Sequence, residues 1–379
     1  MKKKLTLLFI VLYIFLVADI SFAQDTITQP DTSRLRIAFA GDIMGHDAQI
    51  LGAYVDSSKT YNYEPTFRYV KSYLQSVDLA IGNLEVTLGG EPYKGYPQFS
   101  SPDNLPLEAR NAGFQILITA NNHSLDRGAK GFDRTLKMLD SFNIIHTGTF
   151  RTKEERDKTY PLIVEKNNIK LALLNYTYGT NGLKIAEPYI VNRIDTAQIR
   201  IDLEKAKLAH PDYTIVTIHW GNEYERVQNK NQENLAGFIL EHGADAIIGS
   251  HPHVIQPIKY YPAVTDSTVI RPVVYSLGNF VSNQRAQYKD GGIIVEMELI
   301  KTNTITKFEK LEYLPCWVYR HDDIKSTFYI LPPAFYYNNE ELFDFTEDDK
   351  TKIKRFYTDT KNHLSDIEET DFFEKEKPL

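Results

Sequence analysis

Ala244-Asp-Ala-Ile-Ile-Gly-Ser-His-Pro-His-Val254 is an apolar run that stops abruptly and delivers two histidines, His251 and His253, on either side of a proline. A run this short, ending in glycine and serine, reads as a buried strand. Side chains one residue apart in extended backbone point to opposite sides, so a turn at Pro252 is needed for both imidazoles to approach one ion. Neutral histidine is the commonest protein ligand for first-row metals. Two histidines near a turn are, by themselves, ordinarily surface residues. The reading gains weight because other strands of this chain end in the same way.

Outward from this segment, short apolar runs alternate with helical patterns. Leu35–Ala40, Leu79–Ile81, Phe114–Ile118, Leu171–Leu174, Tyr213–Ile218, Ala246–Ile248 and Val273–Tyr275 read as strands. The spacing of apolar residues predicts helices over Pro65–Gln75, Gly131–Phe142, Ala197–Ala209 and Glu233–His242, the last closed by Gly243. Such alternation indicates an α/β fold. Gly292–Ile300 and Phe308–Leu314 read as a later antiparallel pair, within a segment 284–337 of strands that complete the core. Beyond it, residues 338–379 form a charged tail, in which Thr346–Leu364 reads as a solvated helix with Ile353, Phe356 and Tyr357 as a narrow apolar stripe.

Five strands deliver a polar residue of ligand type at the C-terminal end: Asp42, Glu85, the pair Asn122-His123, His219, and the pair His251/His253. In α/β sheets, ligands gather in the crevice beyond the carboxyl ends of strands. Taken singly, each has a plainer reading. Asp42 can serve a turn, Glu85 can be a surface carboxylate, Asn122 and His123 can cap a turn, and His219 can be a hydrogen-bonded core histidine. Together they supply carboxylate, amide and imidazole donors without thiolate. That set suits divalent Mn, Fe, Zn or Mg, and can hold two ions when a carboxylate is shared. Paired ions stabilise charge on the entering and leaving oxygens of a displacement at phosphorus, which implies ester hydrolysis. His123 is placed to protonate a leaving group, with Asp126 orienting its imidazole.

Gly41-Asp-Ile-Met44, Gly82-Asn-Leu-Glu85, Ala120-Asn-Asn-His-Ser-Leu-Asp126, His219-Trp-Gly-Asn-Glu223, Gly249-Ser-His-Pro-His253 and Tyr275-Ser-Leu-Gly-Asn-Phe280 resemble the ordered motifs of the CapA family. Its members are the poly-γ-glutamate capsule synthesis proteins, related to calcineurin-like metallophosphoesterases. The likeness runs from about Leu35 to Asn283. It implies a metallophosphoesterase-like four-layer α/β/β/α sandwich with two mixed sheets. It also implies Asp42, Glu85, Asn122, His219, His251 and His253 as metal ligands, Glu85 standing where many phosphoesterases have a bridging aspartate, and His123 as the catalytic histidine. One departure matters: the position two residues after Asp42, a histidine in many phosphoesterases, is Met44. His46 either compensates from two residues further on or faces solvent. Glu223 reads as a metal ligand or a carboxylate behind one, and Arg127 as a contact for an anionic substrate or a plain surface arginine. The implied substrate is a phosphoester or related bond of a cell-envelope or capsular polymer. The second reading is a non-catalytic accessory protein that binds an anionic polymer for its assembly or export.

Residues 1–23 carry Lys2, Lys3 and Lys4, an uncharged stretch from Leu5 to Ala18, and Ser21-Phe22-Ala23, which read as a secretory signal peptide followed by a polar linker over 24–34. The expectation is an exported protein, of the periplasm or cell surface, that meets the membrane only during export. Without residues 1–23 the net charge moves from -7 to -9, because three lysines and Asp19 go with them. An acidic chain is poorly suited to nucleic acid. Cys316 is the one cysteine, so no disulfide forms within the chain and stability must come from packing. Gly89–Asn104, rich in proline and aromatics, reads either as a packed surface loop or as the wall of a substrate groove.

Overall fold

The computed structural model describes residues 31–263, 266–321 and 325–375. The expected signal peptide, and the linker before Asp31, lie outside these residues. The principal strands in chain order are β1 (Thr32–Ile43), β2 (Leu79–Leu84), β3 (Ile116–Ile118), β4 (Ile145–Thr147), β5 (Leu162–Lys166), β6 (Ile169–Thr177) and β7 (Tyr213–His219). They continue with β8 (Ala246–Ser250), β9 (Ile258–Pro262), β10 (Ile270–Val274), β11 (Asn279–Val281), β12 (Gly291–Thr302), β13 (Ile305–His321) and β14 (Thr327–Leu331).

These strands form two large sheets. The first runs β14-β13-β12-β1-β2-β3-β4, the second β9-β10-β8-β7-β6-β5. Both are mixed. In the first, β1, β2, β3 and β4 are parallel, whereas β12, β13 and β14 pair antiparallel. In the second, β6, β7, β8 and β10 are parallel, with β5 and β9 antiparallel at the edges.

Side-chain alternation explains the layering. Leu35, Ile37 and Phe39 of β1 point to one face and share a buried cluster with Leu171, Leu173, Ile215 and Ile248 of the second sheet. Ala38 and Ala40 point to the opposite face, where Phe67, Leu74, Leu105 and Leu139 cover the first sheet. On the outer face of the second sheet, Ala172, Leu174, Val216 and Ile247 pack against Ile199, Leu203, Ala236 and Ile239. The order helix, sheet, sheet, helix is therefore set by which alternate residues are apolar, and it is the four-layer α/β/β/α arrangement expected.

Two elements differ from the expectation. The helix expected over Pro65–Gln75 is two short helices, Glu64–Phe67 and Lys71–Ser76. Between them the Tyr69 ring joins Tyr329, Phe335 and Phe343, so tertiary packing overrides local helical preference. The tail helix forms over Glu347–His363, but it is not merely solvated, because Ile353 and Phe356 are buried in the cluster between the sheets. After it, Glu368–Glu369 pairs with β13 and Phe373 is buried. Cys316 is buried and free. Among the described residues, no helix is long and apolar enough to cross a membrane.

Candidate metal centre

The parallel strands of both sheets end along one edge, and their last residues converge there. β1 ends in Asp42 and Ile43, and Asp42 is held by a backbone bond from its N–H to Gly278 O of 3.1 Å. Gly41 permits that approach, since a Cβ there would run into the Gly278 carbonyl oxygen. β2 ends beside it and presents Glu85, β7 ends in His219, and β8 leads into His251 and His253. Asp42, Glu85, Asn122, His123, His219, His251 and His253 are all buried.

Their polar atoms meet across the two sheets. His253 Nδ1 lies 3.0 Å from Asp42 Oδ2, and His219 Nε2 lies 2.8 Å from Asn122 Oδ1 and 3.5 Å from Glu85 Oε1. His253 Nε2 stands 3.9 Å from the same Glu85 oxygen. Two groups have ligand atoms within 4.8 Å of one another: Glu85, His251 and His253, and Asp42, Glu85 and His219. Glu85 belongs to both.

The turn that brings the two histidines together is not made by Pro252 alone. His251 and His253 both have left-handed backbone, with φ of 100° and 58°. Such conformations cost about 1–3 kcal/mol each in a residue with a Cβ, and are held only where the surroundings enforce them. Here Tyr224 N donates to Pro252 O at 2.8 Å, and the Tyr178 ring lies 4.5 Å from that of His251.

The donor set fits a cation. Both carboxylate oxygens of Glu85 and Nδ1 of His251 are buried without a hydrogen-bond partner among the described residues. Burial, and then the neighbouring Asp42 carboxylate, raise the Glu85 pKa well above the usual carboxylate range. Burial likewise holds His219 and His251 well below the usual imidazole range, with neighbouring histidines adding to the effect. Neutral imidazoles facing a carboxylate that no hydrogen bond satisfies are a ligand set for a divalent metal.

Beside these residues, His123 Nδ1 lies 2.7 Å from Asp126 Oδ2, which also accepts from Phe99 N at 2.7 Å. The carboxylate fixes the tautomer with the proton on Nδ1 and leaves Nε2 as the free nitrogen. A cleft of about 310 Å³ opens next to it, lined by residues including Tyr96, Asn122, His123, Asn181 and Glu223.

The other expected residues fall as follows. His46 precedes the helix Asp47–Ala53, and its Nδ1 lies 3.1 Å from Gln49 Oε1 and 3.3 Å from Asn283 N. It belongs to neither ligand group, and Met44 is buried in the outer core. Glu223 is exposed at the cleft. Arg127 packs its stem near Gly89 and Gly131 and does not line the cleft. The Gly89–Asn104 segment divides its aromatics: Phe99 is buried with its ring 4.6 Å from His123, whereas Tyr96 is 67% exposed over the cleft.

Several residues around the centre had no assigned role in the sequence. Asn83 donates to Asp42 Oδ1 at 2.8 Å, and its Nδ2 lies 3.3 Å from His219 Nδ1. Asn121 donates to Leu84 O at 2.8 Å and accepts from His123 N at 3.1 Å. Their position inside the motifs was the available signal. Tyr178 and Tyr224 lie on loops and carried none.

A profile of the family described as bacterial capsule synthesis protein PGA_cap matches residues 36–284. The chain belongs to this family. It is 29% identical over 278 residues to the capsule biosynthesis protein CapA of Bacillus anthracis, across 70% of this chain and 64% of that protein. It is also 29% identical over 289 residues to the PGA biosynthesis protein CapA of Bacillus subtilis (strain 168), across 71% of this chain and 69% of the relative. The chain thus spans just under two thirds of the Bacillus anthracis protein. Similar solved structures include the NAD nucleotidase NadN of Haemophilus influenzae, with a TM-score of 0.48 and 12% identity over 90% of this chain and 65% of that one. The calcineurin-like phosphoesterase YfkN of Bacillus subtilis gives a TM-score of 0.45 and 15% identity, over 88% of this chain and 100% of that one.

Proposed function

We propose that this PGA_cap protein is an exported, metal-dependent hydrolase acting on a phosphoester or related bond in a capsular or cell-envelope polymer or its precursor. The observation that carries the reading is the buried Glu85 carboxylate, unpartnered among the described residues and shared by two ligand groups, beside the aligned His123–Asp126 pair. Glu85, His251 and His253 would hold one divalent ion and Asp42, Glu85 and His219 another, with Asn122 beside His219. Bound ions of this kind act as Lewis acids that stabilise charge on the oxygens of a displacement at phosphorus.

The chain's own groups supply the rest. Asp126 holds the His123 imidazole in one orientation, and protonated His123 can deliver a proton to a leaving oxygen in the adjoining cleft. Asn83 and Asn121 hold Asp42 and the His123 backbone in place.

A second reading, a non-catalytic accessory protein binding an anionic polymer, is favoured by one observation. Met44 is buried in the core, and His46 has its Nδ1 beside Gln49 Oε1 and Asn283 N and joins no ligand group. Metal content, followed by hydrolysis of aryl phosphate monoesters and diesters by the wild type and His123→Ala, separates the two. Hydrolysis lost in the variant at unchanged metal content supports the enzyme. Bound metal with no turnover of either ester supports the accessory protein.

A further inference from the structure

Lys289 is a cation at the rim of the candidate metal centre with no carboxylate partner among the described residues. Its ammonium sits 3.9 Å above the Tyr224 ring, and among the described residues it forms no ion pair. Tyr224 is itself tied to the ligand turn. It has left-handed backbone, φ 68°, its N–H bonds the carbonyl of Pro252 between the two histidines, and its ring centroid lies 6.2 Å from that of His253. The Lys289 backbone is also fixed, because Asn279 Nδ2 donates to its carbonyl at 2.9 Å. The chain therefore holds a lysine on an aromatic face next to a candidate ligand, from two independently anchored loops.

We propose that Lys289, carried on Tyr224, is an anion subsite on the His253 side of the centre, taking an anionic oxygen of the substrate. An ammonium held over an aromatic face is positioned by the ring before an anion arrives. The cleft beside His123 adjoins this position: it is lined by the amides of Asn122 and Asn181 and by the exposed Glu223, the residue directly before Tyr224. A substrate with its anionic oxygen on Lys289 would reach the cleft beside His123, which Glu223 joins to Tyr224. The inference rests on the metal-centre reading for its setting, but its test does not depend on turnover.

The test measures equilibrium binding of inorganic phosphate and of glutarate, a dicarboxylate, to the Mn-loaded wild type, Lys289→Met and Lys289→Arg, with metal content determined on the same samples. Lys289→Met keeps an unbranched chain over Tyr224 and removes the charge. Loss of one charge-assisted hydrogen bond should weaken anion binding about tenfold, with Lys289→Arg close to the wild type. Weakening for phosphate assigns the subsite to a phosphoryl group, and weakening for glutarate assigns it to a polymer carboxylate. Equal affinity of the wild type and Lys289→Met for both anions, or no binding by the wild type, overturns the subsite. Metal content reports separately on the metal centre.

Discussion

His253 Nδ1 and Asp42 Oδ2 lie 3.0 Å apart although the residues are separated by 211 positions in sequence. Asp42 closes a strand of one sheet and His253 follows a strand of the other, so each sheet supplies part of the candidate ligand set. The set exists only when the sheets are packed, and a metal bound there must stabilise the folded state over the unfolded one. Divalent metal at a hundred times its dissociation constant should add about 2.7 kcal/mol of stability, reversed by chelator. Thermal unfolding with Mn or Zn and with EDTA measures this. Identical midpoints throughout would count against the site.

Glu85 makes the complementary case. Its carboxylate is buried beside Asp42, with neither oxygen hydrogen-bonded among the described residues. In the metal-free protein this arrangement is costly, so Glu85→Gln should make the metal-free form more stable by about 1–3 kcal/mol. The same change should abolish stabilisation by metal. Denaturant unfolding of both forms checks the prediction, and a destabilised metal-free variant would contradict it.

The layers, and the gathering of polar residues at the strand ends, were legible in the sequence for one physical reason. Period-two alternation in β1 separates Leu35, Ile37 and Phe39 from Ala38 and Ala40, and a polar residue after such a run must lie at the strand end. What escaped depends on tertiary packing. Nothing local announces that Tyr69 will break a helix by joining Tyr329 and Phe335, or that His251 and His253 will take left-handed backbone. Tyr178 and Tyr224 sit on loops, where no periodicity marks a contact with the histidines.

Asp126→Asn keeps an acceptor for Phe99 N but removes the charge that fixes the Nδ1 proton of His123. If His123 acts as a general acid, the rate should fall about 10²- to 10⁴-fold. Metal content should not change, because neither residue belongs to a ligand group. Steady-state kinetics with an aryl phosphate, alongside metal analysis, tests this. A variant as active as the wild type would remove Asp126 from the mechanism.

Burial lowers the His46 pKa to about 4, against which its contact with Gln49 works in the opposite direction. The unfolded chain binds this proton near pH 6.5, so the folded state holds fewer protons between those values. The contribution of His46 is present above about pH 6.5 and is lost as pH falls towards 4. His46→Gln should flatten that part of the stability profile. Histidine titration by NMR gives the direct check, and a midpoint near 6.5 for His46 would refute the prediction.

The tail helix Glu347–His363 supplies the last prediction. Its composition is strongly charged, yet Ile353 is fully buried between the sheets and Phe356 is nearly so. Arg355 donates to the buried Asp290 at 3.1 Å, next to Lys289, and Arg226 donates to Asp359 O at 3.4 Å. The helix therefore holds both loops that frame the His253 side of the centre. Truncating Ile353 to alanine should cost about 2–5 kcal/mol, the usual range for a large buried aliphatic residue. An exposed position on the same helix, such as Lys354, should tolerate alanine within about 0.5 kcal/mol. Chemical denaturation of the two variants decides between a packed helix and a solvated one: equal, small effects would show that the helix does not contribute to the core.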